Sequence, residues 1–291
     1  MATQGRVSIV GAGPGDPELI TVRGLARVRN ADVLVYDRLV APALIDEAPP
    51  TAERIFVGKA RGRAALEQRG IEALLVARAR AGKHVVRLKG GDPYVFGRGG
   101  EEVATLIDAG IPVEVVPGLT AATAVPASAG IPVTHRERSS SLTIVTGHED
   151  PAKPESAIDW DWLAASPGTV VVLMGLSQIA AIRDRLLAGG RAADTPAAAI
   201  ASGSLPEQRV VVSTLNDLPE VVAAAQLAAP VLVVIGDVVR YRALFAQSAV
   251  TGPLTAIARD DRDSRRARAA PFLPWREPSP AQLTLTGGSH D

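Results

Sequence analysis

Val85-Val86-Arg87-Leu88-Lys89-Gly90-Gly91-Asp92-Pro93-Tyr94-Val95-Phe96-Gly97-Arg98-Gly99-Gly100-Glu101-Glu102 reads as an apolar strand, a loop with paired glycines and an Asp-Pro, and an acidic helix start. Paired glycines let a backbone pass close to a ligand or take a positive φ that other residues avoid. Asp92 precedes Pro93 and is pushed to extended or turn geometry, so its carboxylate is held where a helix does not put it. Glu101 and Glu102 suit a first helical turn, where the dipole favours negative charge. A plain connection needs one of these features rather than all of them. The stretch is therefore read as a ligand-binding loop between a strand and a helix.

The same unit recurs along the chain. Residues 6–10 form an apolar run that ends in Gly11-Ala12-Gly13-Pro14-Gly15-Asp16-Pro17. That loop fails as a dinucleotide fingerprint, because position 16 is not glycine and Pro14 removes an amide where a phosphate needs one. Thr21 is a good cap for a helix reaching about Arg29. Residues 31–36 form a strand that delivers Asp37-Arg38 at its carboxyl end, and residues 54–57 run into Gly58-Lys59. Helical periodicity over 71–81 stops at Gly82, and a helix to about Ala109 is closed by Gly110. A strand over 111–116 follows.

Pro117-Gly118 reads as a domain joint. Beyond it Thr120 caps a small-residue helix, and strands over 142–145, 169–174, 196–201 and 230–235 each enter a polar or glycine-containing loop. Ser177 is expected to cap the helix after the second of these. The expected fold is α/β, in two blocks, 1–116 and 117–249, with mainly parallel sheets whose faces are covered. Ligands in such sheets sit outside the carboxyl ends of the strands, where the unusual residues cluster. From residue 250 the chain turns to mixed charge, proline and glycine, and 250–291 is expected to be a flexible tail.

Bulk properties narrow the function. The chain has 291 residues, 47% of them hydrophobic, which is ample for a core. Its 31 basic and 31 acidic side chains cancel, which argues against a nucleic-acid partner. The absence of cysteine excludes disulfides, thiolate-bound metals and a cysteine nucleophile. Its four histidines form no ligand-spaced pair, so no metal site is expected. No run approaches the length of a membrane span and no signal peptide is evident, so a cytoplasmic protein without membrane contact is expected.

Together the loops resemble the tetrapyrrole (corrin/porphyrin) methylase family. The resemblance covers Arg6 to about Asp237. It rests on Val10 to Pro17, on Ala31 to Val40, on Arg87 to Glu102, on Val116-Pro117-Gly118-Leu119-Thr120-Ala121-Ala122 and on Gly130-Ile131-Pro132-Val133-Thr134-His135-Arg136. The first loop is common to the family. The Lys89 to Glu102 block is most like the members that methylate uroporphyrinogen III.

The resemblance implies two α/β domains with mainly parallel or mixed sheets and an active-site cleft between them, and a homodimer that uses S-adenosyl-L-methionine and leaves S-adenosyl-L-homocysteine. It implies transfer of methyl groups to C2 and C7 of uroporphyrinogen III, through precorrin-1 to precorrin-2. It implies cofactor contacts at Pro14, Gly90, Gly91, Asp92, Val95, Thr120, Ala121, Met174 and Gly203, with Asp37 as proton acceptor and Lys59 as proton donor. Arg38, Arg98, His135 and Arg136 are candidates for holding the carboxylates of the tetrapyrrole. Other readings stay open for several of these. Asp37 can cap a helix starting near Leu39, Lys59 can anchor a substrate carboxylate, Met174 can be core packing, and Arg98 can pair with Glu101 or Glu102.

The sequence departs from the family pattern at Ala64, Ala65 and Glu72, where a His-Ser pair and an Asn are usual. Ser128 and Leu173 stand where aromatics are common. These departures bear on substrate affinity or regiochemistry and leave the cofactor loops untouched. A later corrin methylase and a non-catalytic cofactor-binding homologue are the alternatives, the second opposed by the presence of Asp37 and Lys59. A fused reductase or ferrochelatase is not expected, since the resemblance starts within the first ten residues.

Overall fold

The computed structural model describes residues 5–58, 67–151 and 156–247, the last three by backbone alone. The tail expected at 250–291, Lys59, Ala64 and Ala65 lie outside the described residues.

The first sheet contains β1 (Arg6–Gly11), β2 (Val33–Tyr36), β3 (Glu53–Phe56), β4 (His84–Lys89) and β5 (Val113–Val116), in the order β3-β2-β4-β1-β5. Every neighbouring pair is parallel. All carboxyl ends therefore meet one edge. The helices α1 (Val22–Val28) and α2 (Pro42–Asp46) cover one face through Val28 and Leu44, packed on Val10, Leu34, Val86 and Leu88. Helices α3 (Gln68–Arg80) and α4 (Gly99–Asp108) cover the other through Ile71, Leu75 and Leu106, packed on Val7, Ile9, Val35 and Val85. The period-2 pleat sends alternate residues of each strand to opposite faces, and both are covered. That is why β4 is buried along its whole length.

The second sheet follows α5 (Ala121–Ser128). Its strands are β6 (Leu142–Thr146), β7 (Thr169–Leu173), β8 (Pro196–Ala201), β9 (Arg209–Thr214) and β10 (Val231–Ile235), in the order β6-β7-β10-β8-β9. Between them lie α6 (Trp160–Ala165), α7 (Ile179–Ala188) and α8 (Leu218–Ala224), with α9 (Tyr241–Gln247) after β10. Here the parallel reading holds for β6 with β7 alone; β10 runs against β7 and β8, and β9 runs against β8. A five-residue apolar run buried on both faces reads alike in either direction, so its sequence does not encode that reversal. Because β8 is antiparallel to β10, strands β6, β7 and β8 all point the same way.

Capping follows the local chemistry. Thr21 Oγ1 accepts from Gly24 N at 3.0 Å to start α1, and Thr120 Oγ1 accepts from Ala122 N at 3.3 Å to start α5. Ser177 does not cap α7. It lies inside a 3-10 turn over Leu176–Gln178 that leads into the helix, whose N-cap is Gln178.

Candidate active site

Three loops are tied together by close backbone contact, and a fourth joins them through a side chain. Gly13 and Gly91 bridge, with Gly91 N donating to Gly13 O at 2.7 Å and Gly13 N to Gly91 O at 3.3 Å. Gly11 and Gly118 approach so closely that a Cβ on Gly118 would stand 2.7 Å from the Gly11 Cα. Asp92 secures this join: Oδ2 accepts from Gly118 N at 3.0 Å and Oδ1 from Tyr94 N at 2.8 Å. The fourth loop enters through Ser204, whose Oγ accepts from Asp16 N at 3.1 Å. Pro14, Gly90, Gly91, Asp92, Thr120, Ala121 and Gly203 thus come from four separate stretches of chain and gather in one place.

The backbone in this region is unusual. Phe96, Arg98, Met174, Ser202 and Ser204 all have positive φ without being glycine. They follow β4, β7 and β8, at the carboxyl ends of those strands. Such conformations cost free energy and cluster at functional sites. Met174, at φ 58° and 50% exposed, is not core packing. Gly203 is buried, and a Cβ there would press on the Val125 side chain of α5, so packing alone already requires glycine. Gly91 differs: at φ 69°, a Cβ would stand in open space, with Ala121 N the nearest heavy atom at 3.9 Å.

Next to these loops is a cleft of about 870 Å³, lined among others by Tyr94, Phe96, Arg98, Thr146, His148 and Met174. Val95, half-buried, lies between two of its aromatic residues. Arg98 pairs with Glu101 at 2.6 Å on the surface, not with Glu102. His148 and the aromatic pair Tyr94 and Phe96 were not singled out by sequence reasoning. The signal was present, since His148 follows β6 as Asp37 follows β2.

Asp37 lies just past β2. Its Oδ1 accepts from Leu39 N at 3.1 Å, forming a turn, while the next helix, α2, begins only at Pro42. Asp37 is therefore not a helix cap. Its Oδ2 lies 3.6 Å from Arg87 Nη2, and its side chain is 27% exposed. Behind it, Arg87 and Lys89 project from one face of β4 towards Glu102, at 3.3 Å and 3.0 Å. Burial, then the neighbouring Arg87, pushes the Lys89 ammonium below its usual range, against the opposing pull of Glu102 and Asp37.

The remaining candidates stand apart from the glycine loops in their contacts. His135 closes a turn by bridging to Ser139 and stacks on Tyr241 with ring centroids 4.4 Å apart; its Nδ1 also lies 3.2 Å from the Tyr241 hydroxyl. Arg136 and Arg38 are exposed. Ser128 bonds Gln208 at 2.7 Å, which in turn accepts from Ser204 N at 2.8 Å, and so braces the fourth loop.

A family model described as Tetrapyrrole (Corrin/Porphyrin) Methylases matches residues 6–219, well over half of the chain. The chain belongs to the tetrapyrrole methylase family. An S-adenosyl-L-methionine-dependent uroporphyrinogen III methyltransferase from Methanosarcina barkeri is 50% identical over 235 residues, covering 81% of this methylase and 92% of that protein. A siroheme synthase from Azotobacter vinelandii is 52% identical over 240 residues, covering 82% of this chain. The chain spans 51% of that synthase's length. A crystal structure of uroporphyrin-III C-methyl transferase from Thermus thermophilus, complexed with S-adenyl homocysteine, aligns at a TM-score of 0.69 and 41% identity, covering 81% of this chain and 99% of the other.

The loops of this tetrapyrrole methylase suit S-adenosyl-L-methionine. The open space at Gly91, beside the N-terminus of α5, admits a ligand against bare backbone. Met174 and the apolar part of Val95 can supply walls. Pro14, which breaks a phosphate cradle, is compatible with a ligand that carries no phosphate. Among the described residues no cluster of His, Asp and Glu could hold a metal ion.

Proposed function

We propose that this chain transfers methyl groups from S-adenosyl-L-methionine to C2 and C7 of uroporphyrinogen III, giving precorrin-1 and then precorrin-2. The observation that carries this reading is 50% identity across 92% of a uroporphyrinogen III methyltransferase. When bound, the cofactor supplies an electrophilic methyl group on a sulfonium.

The chain's own residues align and activate. The loops at Pro14, Gly90 to Asp92, Thr120 and Ala121, Met174 and Gly203 hold the cofactor by backbone contact, with Asp92 fixing their mutual placement. The pyrrole ring carbon attacks the methyl carbon as the S–CH3 bond breaks, a displacement governed by alignment. The ring N–H proton passes to Asp37, which enriches the ring in electrons. Lys59 serves as donor or as an anchor for substrate carboxylates. Val95 and Met174 add side-chain walls to the cofactor site; Arg98, on the large cleft, holds a carboxylate of the tetrapyrrole, and Arg38, His135 and Arg136 extend carboxylate binding outward.

The two sheets, separated in sequence between β5 and β6, support a division into domains 1–116 and 117–249. A homodimer is part of the same proposal and rests on the resemblance to the family. No helix among the described residues is long and apolar enough to cross a membrane, which is compatible with a cytoplasmic site of action.

The test is incubation with uroporphyrinogen III and methyl-labelled cofactor, followed by mass analysis of the tetrapyrrole. Two added methyl groups are expected. A single product with none, under conditions where the cofactor binds, removes uroporphyrinogen III as the acceptor.

A further inference from the structure

Glu102 is a buried acid that the proposed chemistry does not use. It lies in the first turn of α4 and is 0% exposed. Taking a carboxylate out of water is costly unless charges and donors replace the water. Its Oε1 accepts from Lys89 Nζ at 3.0 Å, Arg87 Nε at 3.3 Å and Gln68 Nε2 at 3.3 Å. Its Oε2 has no hydrogen-bond partner among the described residues. Three donors therefore converge on one oxygen, a geometry that serves the donors more than the acid.

Arg87 is what this arrangement fixes. Its Nη1 donates to Leu88 O at 3.2 Å and Val35 O at 3.5 Å, while Nε faces Glu102. Only Nη2 is left to face Asp37 Oδ2, at 3.6 Å. Side-chain exposure rises along the row, from 0% at Glu102 through 4% at Arg87 to 27% at Asp37. The buried end is rigidly packed and the open end reaches the carboxyl edge of the sheet.

We infer that Glu102 is a positioning residue for methylation, holding Arg87, and through it the Asp37 carboxylate, in place for proton transfer. Lys89 balances the second unit of charge. The inference rests on Asp37 being the proton acceptor. The charged groups around Glu102 are Arg87 and Lys89 from β4, with Asp37 past β2 beyond Arg87, and Arg98 and Glu101 at the start of α4; α3 contributes the neutral Gln68 and sets Glu72 near Arg98.

The test is a rate cycle on the full chain. Glu102→Gln keeps the shape and removes the charge. Its single-turnover methylation rate should fall by up to about a hundredfold, the scale of a reacting group misplaced by an ångström. The loss should appear in kcat with KM for uroporphyrinogen III unchanged, because Glu102 is wholly buried and acts only through Arg87 and Asp37. Calorimetric affinity for S-adenosyl-L-homocysteine should hold. If Glu102→Gln does not fold, the double variant Lys89→Met/Glu102→Gln removes a buried cation together with the acid and carries the same test.

Combining either variant with Asp37→Asn should slow the reaction no further than Asp37→Asn alone. A wild-type rate for Asp37→Asn removes the proton-acceptor reading and this inference with it. If Asp37→Asn is slow but the Glu102 variants keep the wild-type rate, Asp37 stands and the positioning role is overturned. Rate losses that multiply in the combined variant, or a lower melting temperature with the single-turnover rate unchanged, overturn it equally.

Discussion

Glu101 and Glu102 are neighbours in the chain with opposite fates. The helical turn of roughly 100° per residue puts the first at the surface with Arg98 and the second wholly inside. Their substitution should differ accordingly. Glu101→Gln is expected to leave the melting temperature nearly unchanged, since an exposed pair is screened by water. Glu102→Gln breaks a buried network, which typically costs about 3–5 kcal/mol, or on the order of 10 °C in a chain of this size. Scanning calorimetry of the two variants checks the contrast. Gly91 sets the other expectation at this scale. Gly91→Val imposes a β-branched residue at φ 69° and fills the open space in front of α5. It should cost about 1–2 kcal/mol in stability and abolish S-adenosyl-L-homocysteine binding in calorimetry. Retained affinity would take that loop out of the cofactor site.

At the scale of elements, the first sheet was legible because each strand carries its own punctuation: an apolar run, then glycine or a charged tip. Asp37, Gly90 and Gly91 are placed at strand ends by the sequence pattern alone. What escaped did so for identifiable reasons. Strand β9, Arg-Val-Val-Val-Ser-Thr, is a half-exposed edge whose apolar run is only three valines long, and α2 is a single five-residue turn. The direction of β10 is set by its neighbours and not by its composition. Glu102 was read as a helix-dipole acid, because nothing local reveals that two cations on β4 point at it. The opposite end of the first sheet offers a pH test. His84, which opens β4, has Nε2 2.9 Å from Ser8 Oγ and Nδ1 2.9 Å from Asn30 O, a carbonyl that can only accept, so in the neutral ring the proton sits on Nδ1. Burial pushes its pKa down. The stability this confers is present above the ordinary histidine value of about 6.5 and is lost as pH falls below it. The melting temperature should therefore decline from pH 7 to pH 5. A His84→Gln variant should be less stable at pH 7 and respond less over that window.

Across the whole molecule, the glycine loops join the two sheets. Residues 11–17 and 90–92 belong to the first, 202–205 to the second, and 118–121 lies between. A ligand seated among them binds only when all are folded together. Saturation with S-adenosyl-L-homocysteine at about a hundred times its Kd is worth about 2.7 kcal/mol, or roughly 5–10 °C. Calorimetry should register that rise as one endotherm for both sheets. A trace in which half the heat stays at the ligand-free temperature would mean that only one sheet contributes to binding.

The sandwiched position of β10 also fixes a timescale. Its five residues are between 0% and 7% exposed, and its antiparallel partners β7 and β8 engage it on both sides. No fraying edge can release those amides one at a time. In deuterated water they should exchange only through global opening, the slowest event available to the chain. The amides of Gly13, Gly91 and Gly118 sit on loops whose opening is local, and should exchange far sooner until a ligand closes over them.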